Sequence, residues 1–317
     1  MRKYKSILKI VLPLVLGIVL VWYSLSKISI PTLIQYFKNA NYSWIFLGAF
    51  LGVLSHTSRA YRWLYMVEPL GYKPKFGNSF MAVYSAYLIN FTIPRAGELA
   101  RASILTNYEK VPFDKGIGTI VAERIADTIM LLMVILIALS LEFEFIYNFF
   151  IEKFNPLTLI IGGATLIVLG ITGIVLLKRS TNKFVLKIKG FLSGLVEGLL
   201  SIFKMEKKWA FIFHTFFIWG MYVLMFYVTT FALPELKDMS IAAALIGFIL
   251  ASFSIAATNG GIGSFPEAVV IAFLLFNLPE EPSRAFGWIM WSTQTLVIII
   301  LGGLSLVYLP IFNRKKV

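Results

Sequence analysis

No cysteine occurs in the chain, which excludes disulfides, thiolate metal sites and thiol nucleophiles. Charge is scarce: only 14% of residues are Asp, Glu, Lys or Arg, and acids are the rarer sign, 16 against 29. Histidine is limited to His56 and His214, too few for a histidine-rich metal set. No Gly-x-x-x-x-Gly-Lys-Ser/Thr loop is present, so ATP is not hydrolysed through a P-loop. There is no Asp-x-Asp pair to hold a metal-bound sugar nucleotide, and Gly261-Ile262-Gly263-Ser264 is not a Gly-x-Ser-x-Gly elbow.

What the chain does have is apolar surface. It is 58% hydrophobic over 317 residues, with a mean hydropathy of +0.81. A soluble protein of this length could not bury that much, so the class is an all-α polytopic membrane protein. A membrane barrel would alternate with period two, and these runs do not, so helices must satisfy the backbone in lipid. In a soluble protein the net charge of +13 would suggest nucleic acid. Here it is assigned to cytoplasmic loops beside anionic lipid, and no nucleic-acid partner is expected.

About six full spans are expected in one domain over residues 1–317. Basic residues Arg2, Lys3, Lys5 and Lys9 precede the apolar run from Ile10 to Leu25, read as a retained signal anchor (first span about Ile7 to Leu25) with a cytoplasmic N-terminus. The second span, about Ser43 to Met66, carries the GxxxG pair Gly48 and Gly52, a helix-packing pattern. It ends in Ser58-Arg59-Ala60-Tyr61-Arg62-Trp63, where Arg59 and Arg62 share a face. Two readings stand for them: snorkelling at the interface with Trp63 in the aromatic belt, or clamps on a lipid phosphate. The span Ile117–Leu141 holds Glu123, Arg124 and Asp127. Charges at such depth are costly and mark either an internal Arg124–Asp127 pair or a functional cluster. Spans near Pro156–Leu177, Trp209–Leu233 and Arg284–Leu309 complete the set. Eight Lys or Arg lie between Lys178 and Lys208, with an amphipathic pattern over about 181–204 that predicts a cytoplasmic interfacial helix. His214 reads as a satisfied polar residue. The basic end Asn313-Arg314-Lys315-Lys316 predicts a cytoplasmic C-terminus.

Two stretches interrupt the apolar pattern. Thr92-Ile93-Pro94-Arg95-Ala96 and Ser264-Phe265-Pro266-Glu267-Ala268 share the order hydroxyl, bulky apolar, proline, charge, alanine, with opposite charge. Charge placement predicts that about 76–106 is a re-entrant or short-helix hairpin entered from the cytoplasm, and that about 240–278 is a second one entered from outside. Paired breaks of opposite orientation are the sequence sign of an inverted-repeat transporter. Each break also offers a helix N-terminus to an anion. Arg95 and Glu267 are expected to meet as an ion pair, and Ser264-x-x-Glu267 also reads as a capping box.

Four pieces in this order carry a family resemblance: the Ser58–Trp63 run, Pro94-Arg95-Ala96-Gly97-Glu98-Leu99-Ala100-Arg101, Glu123-Arg124-Ile125-Ala126-Asp127, and Asn259-Gly260-Gly261-Ile262-Gly263 with Glu267. Together they resemble the lysylphosphatidylglycerol synthase transmembrane-region family, the flippase-like domain family. The resemblance implies a bacterial or archaeal membrane domain that translocates lipids. It does not carry synthase activity, because the soluble aminoacyl-transferase domain of the fused members is expected to be absent.

The expected function is a flippase or transporter of anionic phospholipid or a lipid-linked substrate in the cell membrane, not an enzyme. The headgroup would sit in a mid-membrane polar cavity. Candidate substrate-binding residues are Arg59, Arg62, Asn90, Arg95, Glu98, Arg101, Glu123, Arg124, Asp127, Asn259, Gly261, Gly263, Ser264 and Glu267, with no metal or cofactor. Glu98, Glu123, Asp127 and Glu267 are candidate proton carriers. The alternatives are an intramembrane enzyme on lipid-linked substrates and a scaffold for a partner enzyme. A second copy of the chain or a lipid-modifying enzyme is the candidate protein partner.

Overall fold

The structure, a computed structural model, describes residues 15–93, 96–144 and 205–314 without interruption, plus isolated positions between 155 and 186. The expected amphipathic helix, most of the expected Pro156–Leu177 span, and the Pro94-Arg95 pair lie outside the described residues. Among the described residues the secondary structure is helical throughout.

Helices α1 (Val15–Ser26) and α2 (Ile30–Asn39) are bent by 83° at a short break. The break has a local cause. Ser29 accepts from the Thr32 amide at 3.2 Å, and Pro31 follows in the first turn, so α2 starts afresh there. The apolar run read to Leu25 therefore ends with α1, and a second helix stands at a corner to it where a loop was expected. Next come α3 (Tyr42–Val67), α4 (Phe76–Thr92), α5 (Ala96–Glu109) and α6 (Phe113–Leu141). After the undescribed stretch come α7 (Lys208–Thr230), α8 (Ile241–Ala257), α9 (Ser264–Leu274) and α10 (Glu280–Phe312).

Helices α6, α7 and α10 are long and apolar enough to cross a bilayer, and α1 with α2 makes a fourth if the bent pair counts as one span. Among the described residues this is fewer than the six expected. Helix α3, with 26 residues, has the length, about 39 Å at 1.5 Å per residue, but is less apolar than these.

The ends of the elements sort onto two sides. On one side Lys207 Nζ meets Glu68 Oε2 at 2.8 Å, joining the start of α7 to the end of α3. That hydrogen bond raises the pKa of the exposed Lys207. On the same side the Lys75 amide donates to Glu109 Oε1 at 3.0 Å, so the start of α4 lies beside the end of α5. Asn313, at the end of α10, exchanges amide hydrogen bonds of 2.7 and 3.0 Å with Asn78. On the other side the Asn41 amide donates to Ala232 O at 2.9 Å, joining the start of α3 to the end of α7.

Two apolar cores follow this division. One holds Trp63, Met66, Ala102, Leu105, Phe211 and Leu309; the other holds Ile45, Val134, Phe226, Phe248, Phe273 and Phe286. The α3–α7 seam is set by small residues. A Cβ on Gly48 would stand 3.4 Å from Met225 O, and one on Gly52 would stand 2.9 Å from Met225 Sδ, so the GxxxG pair does serve as a packing face.

The tip of the α8–α9 pair is built on positive φ at Gly260 (65°), Gly261 (77°) and Gly263 (69°), backbone that side-chain-bearing residues rarely adopt. The Phe91 ring, near the end of α4, packs on Gly260, and Trp291 Nε1 donates to Gly260 O at 2.8 Å. The end of α4 and the α8–α9 tip, each beside one of the interrupted stretches, therefore touch.

Gly97 fixes the approach of α5 to α4. A Cβ there would lie 2.7 Å from the Ala86 carbonyl carbon and 2.8 Å from Asn90 Oδ1. Gly97→Ala is expected to lower stability by about 1–3 kcal/mol through overpacking, whereas Gly118→Ala, with nothing within 4 Å, is expected to be neutral or slightly stabilising. Tryptophan-fluorescence melts of both variants in detergent check this.

Candidate functional site

A group of charged side chains lies where the two apolar cores meet, on three helices. Helix α3 supplies Arg59 and Arg62 one turn apart on one face, α5 supplies Arg101, and α6 supplies Glu123 and Asp127. All five are buried. Counted from Phe113, Glu123 and Asp127 stand about 15 and 21 Å along α6, within a span that could cross a hydrocarbon core of about 30 Å.

The carboxylates are shared between guanidiniums. Arg59 Nη1 donates to Glu123 Oε1 and, at 2.7 Å, to Asp127 Oδ2. Arg62 Nη2 donates to Asp127 Oδ1 at 2.9 Å and lies 3.3 Å from Glu123 Oε1, while its Nη1 donates to Thr215 Oγ1 at 3.1 Å. Arg101 grips Glu123 with both ends of its fork, 2.9 Å to Oε2 and 3.2 Å to Oε1. It also lies 3.8 Å from the centre of the Trp63 ring, whose Nε1 donates to Thr119 Oγ1 at 2.9 Å. Trp219 Nε1 reaches Asp127 Oδ1 at 3.3 Å.

Arg59 and Arg62 therefore do not snorkel, and Trp63 is not in an interfacial belt: it is 0% exposed. The inward carboxylates explain why. An ion removed from water costs several kcal/mol unless partners surround it, and here each guanidinium has them. The local Arg124–Asp127 contact is secondary, at 3.8 Å; Arg124 turns instead to Glu98, 2.9 Å away. That pair forms the open rim of the cluster, with side chains 46% and 37% exposed.

The cluster is unbalanced. Three buried guanidiniums face two buried carboxylates, an excess of one positive charge among the described residues. The Nε atoms of Arg59, Arg62 and Arg101 are buried without a hydrogen-bond partner. Such a site has both charge and donors left for an anion.

The other expected residues lie elsewhere. Asn90 Oδ1 accepts from the Gly97 amide at 2.8 Å, fastening the turn between α4 and α5. Glu267 accepts from Arg284 at 3.1 and 3.2 Å, and Arg284 also donates to Glu280 at 2.8 Å. Among the described residues the arginine at Glu267 is Arg284; the expected Arg95–Glu267 pair involves Arg95, which lies outside the described residues. The capping box does not form either. Gly263, not Ser264, holds the N-cap position of α9, and Ser264 Oγ bonds Thr258 Oγ1 at 2.9 Å. Asn259, Gly261 and Gly263 build the α8–α9 tip and are not part of the charge cluster. His214 is satisfied as expected, with Nδ1 2.7 Å from Ser58 Oγ. Sequence reading missed Thr215, Trp219 and Arg284; Arg284 was visible as an arginine four residues after Glu280, at salt-bridge spacing.

Residues 10–302 match the family described as lysylphosphatidylglycerol synthase TM region. The chain belongs to that family. It is similar to the UPF0104 membrane protein MJ1595 of Methanocaldococcus jannaschii, with 22% identity over 341 aligned positions covering 100% of this chain and 99% of the relative. No solved structure matches it significantly.

Glu123→Gln removes the carboxylate that three arginines share and is expected to cost about 3–5 kcal/mol of stability. Glu98→Gln, at the half-exposed rim, is expected to cost under about 1 kcal/mol. Denaturant unfolding of the two variants in detergent compares them.

Proposed function

We propose that this chain moves an anionic lipid, or a lipid-linked anion, between membrane leaflets. The observation that carries this reading is the positive excess of the buried cluster together with its three unpartnered Nε–H groups. A lipid phosphate brings the missing charge and acceptor oxygens, and its acyl chains stay among apolar helices. The exposed rim at Arg124 and Glu98 supplies the way in. No catalytic role is assigned to any residue.

In this reading α4–α5 and α8–α9 are two re-entrant hairpins of an inverted repeat, entering from opposite leaflets of the cell membrane, with both chain termini cytoplasmic. Support comes from the foot of the first, where Lys75 and Glu109 adjoin, and from the contact of the tips through Phe91 and Gly260. The candidate proton carriers are fewer than the sequence suggested. Glu123 and Asp127 are each held by arginines, and Glu267 by Arg284, which leaves the rim residue Glu98 with the greatest freedom.

The natural absence of cysteine makes the topology directly testable. Lys73→Cys and Lys110→Cys should both react from the cytoplasmic side with a membrane-impermeant maleimide, and Glu235→Cys and Asp238→Cys from outside. Opposite accessibility of Lys73→Cys and Lys110→Cys would make α4–α5 a full crossing.

Transport is read from liposomes holding an acyl-labelled anionic lipid, by reduction of the label from outside. The parent chain should expose inner-leaflet label. Arg101→Gln, checked for folding, should slow this by about tenfold or more, the worth of a lost charge-assisted hydrogen bond. Unchanged flipping in that variant removes the cluster from the transport path. Conversion of the lipid without flipping would favour the enzyme alternative.

A further inference from the structure

A second polar layer adjoins the charge cluster, and neither the sequence motifs nor the anion site accounts for it. One turn before Arg59 on α3, His56 is enclosed by the rings of Tyr84 and Tyr87 from α4 and Tyr222 from α7, at centroid distances of 5.6, 4.6 and 5.7 Å. Tyr222 OH lies 3.3 Å from His56 Nδ1. Tyr87 stands beside Tyr222 and close to both Arg59 and Arg124. From α10, Gln294 closes the layer: its Oε1 is 2.8 Å from where a Cβ of Gly52 would sit, one helical turn from His56 on the same face. Four helices thus converge on one group of hydrogen-bonding side chains.

Two features mark this layer as more than packing. The Tyr84 hydroxyl and Gln294 Nε2 are buried polar atoms without a partner, although such groups are normally satisfied. Tyr87 and Tyr222 are only half-buried, and Tyr87 lies close to Arg124 of the exposed rim.

We infer that the His56–Tyr84–Tyr87–Tyr222–Gln294 layer is a headgroup subsite for a neutral, hydroxyl-rich group carried on the phosphodiester that the arginine cluster binds. This rests on the lipid-transport reading and names its substrate class. Hydroxyl groups can use the spare donors and acceptors of Tyr, His and Gln, and their carbon skeletons pack on aromatic faces. Aromatic rings also attract ammonium groups, but a cation here would stand beside Arg59 and Arg124. The nearest carboxylates, Glu123 and Asp127, are already held by arginines. The shared chemistry is a polyol or sugar on a lipid phosphodiester, whether the lipid is a glycerophospholipid or a glycosylated polyprenyl phosphate.

The test is lipid binding to the full chain in nonionic detergent, read by tryptophan fluorescence, since Trp219 adjoins Tyr222. Dioctanoyl phosphatidylglycerol, phosphatidylinositol and a glycosylated polyprenyl phosphate are compared with phosphatidylmethanol, which keeps the phosphodiester charge without the hydroxyls, and with phosphatidylethanolamine. At least one hydroxylated lipid should bind about tenfold or more tightly than phosphatidylmethanol, and which one does so identifies the source. Tyr222→Phe and Gln294→Leu should each erase that preference and leave phosphatidylmethanol affinity unchanged. Tyr84→Phe, which removes a buried hydroxyl lacking a protein partner, should keep the unliganded melting temperature while reducing the preference. Equal affinity of hydroxylated lipids and phosphatidylmethanol, tighter phosphatidylethanolamine binding, or variants that weaken every lipid alike would overturn the subsite while sparing the anion site. Absence of phosphatidylmethanol binding, or its insensitivity to Arg101→Gln, would overturn both.

Discussion

Two carboxylates on α6 hold three arginines from two other helices, and the rest of the membrane-embedded architecture is arranged around that arrangement. Ionised groups at such depth survive only when they surround one another. Glu123 and Asp127 therefore dictate the register of α3 and α5 against α6. Arg59, Arg62 and Arg101 reach them only if all three helices stand at the right height. The apolar cores on either side then fill what remains. Because the ion count is uneven, the same group that fixes the helices also keeps an appetite for an anion. Structure and proposed function thus share one set of atoms.

Much of this was legible in the sequence, and for identifiable reasons. Helices α3, α4, α6, α7 and α8 have boundaries within a few residues of those read from the apolar runs, because each apolar run is long enough for a helix and gives way to polar or charged residues at its ends. The cluster residues stood out because charges are rare in this chain. Their pairing did not. A sequence shows that Arg124 is three residues from Asp127, but not that Arg59, 68 positions away, lies closer. Local spacing offered Arg124 as a partner for Asp127, and that contact forms only as the longer one; similarity between the two breaks offered Arg95 for Glu267, and Arg95 lies outside the described residues. Arginines on other helices, Arg59 for Asp127 and Arg284 for Glu267, supply the close contacts among the described residues, since tertiary contact decides where a buried guanidinium goes.

The corner between α1 and α2 shows a different limit. Hydropathy ends the first span at Leu25, one residue from the end of α1, but it averages over a window and does not feel a single cap, so the fresh start of α2 at Ser29 and Pro31 is invisible to it although both residues were in plain view. The aromatic layer around His56 was hidden for the opposite reason. Tyr84, Tyr87 and Tyr222 are ordinary residues for apolar helices, and only their convergence from different elements gives them chemical meaning.

Helix α10 touches both interrupted pairs. Near one end Arg284 holds Glu267 of α9, further along Trp291 holds the Gly260 carbonyl, and at the far end Asn313 clasps Asn78 of α4. At 33 residues it is a rod of about 50 Å. A stiff member pinned at three points cannot tilt without displacing what it is pinned to. Mechanically it is a connecting rod: a shift at the foot of one pair is delivered to the other, so the two interrupted pairs are yoked rather than independent.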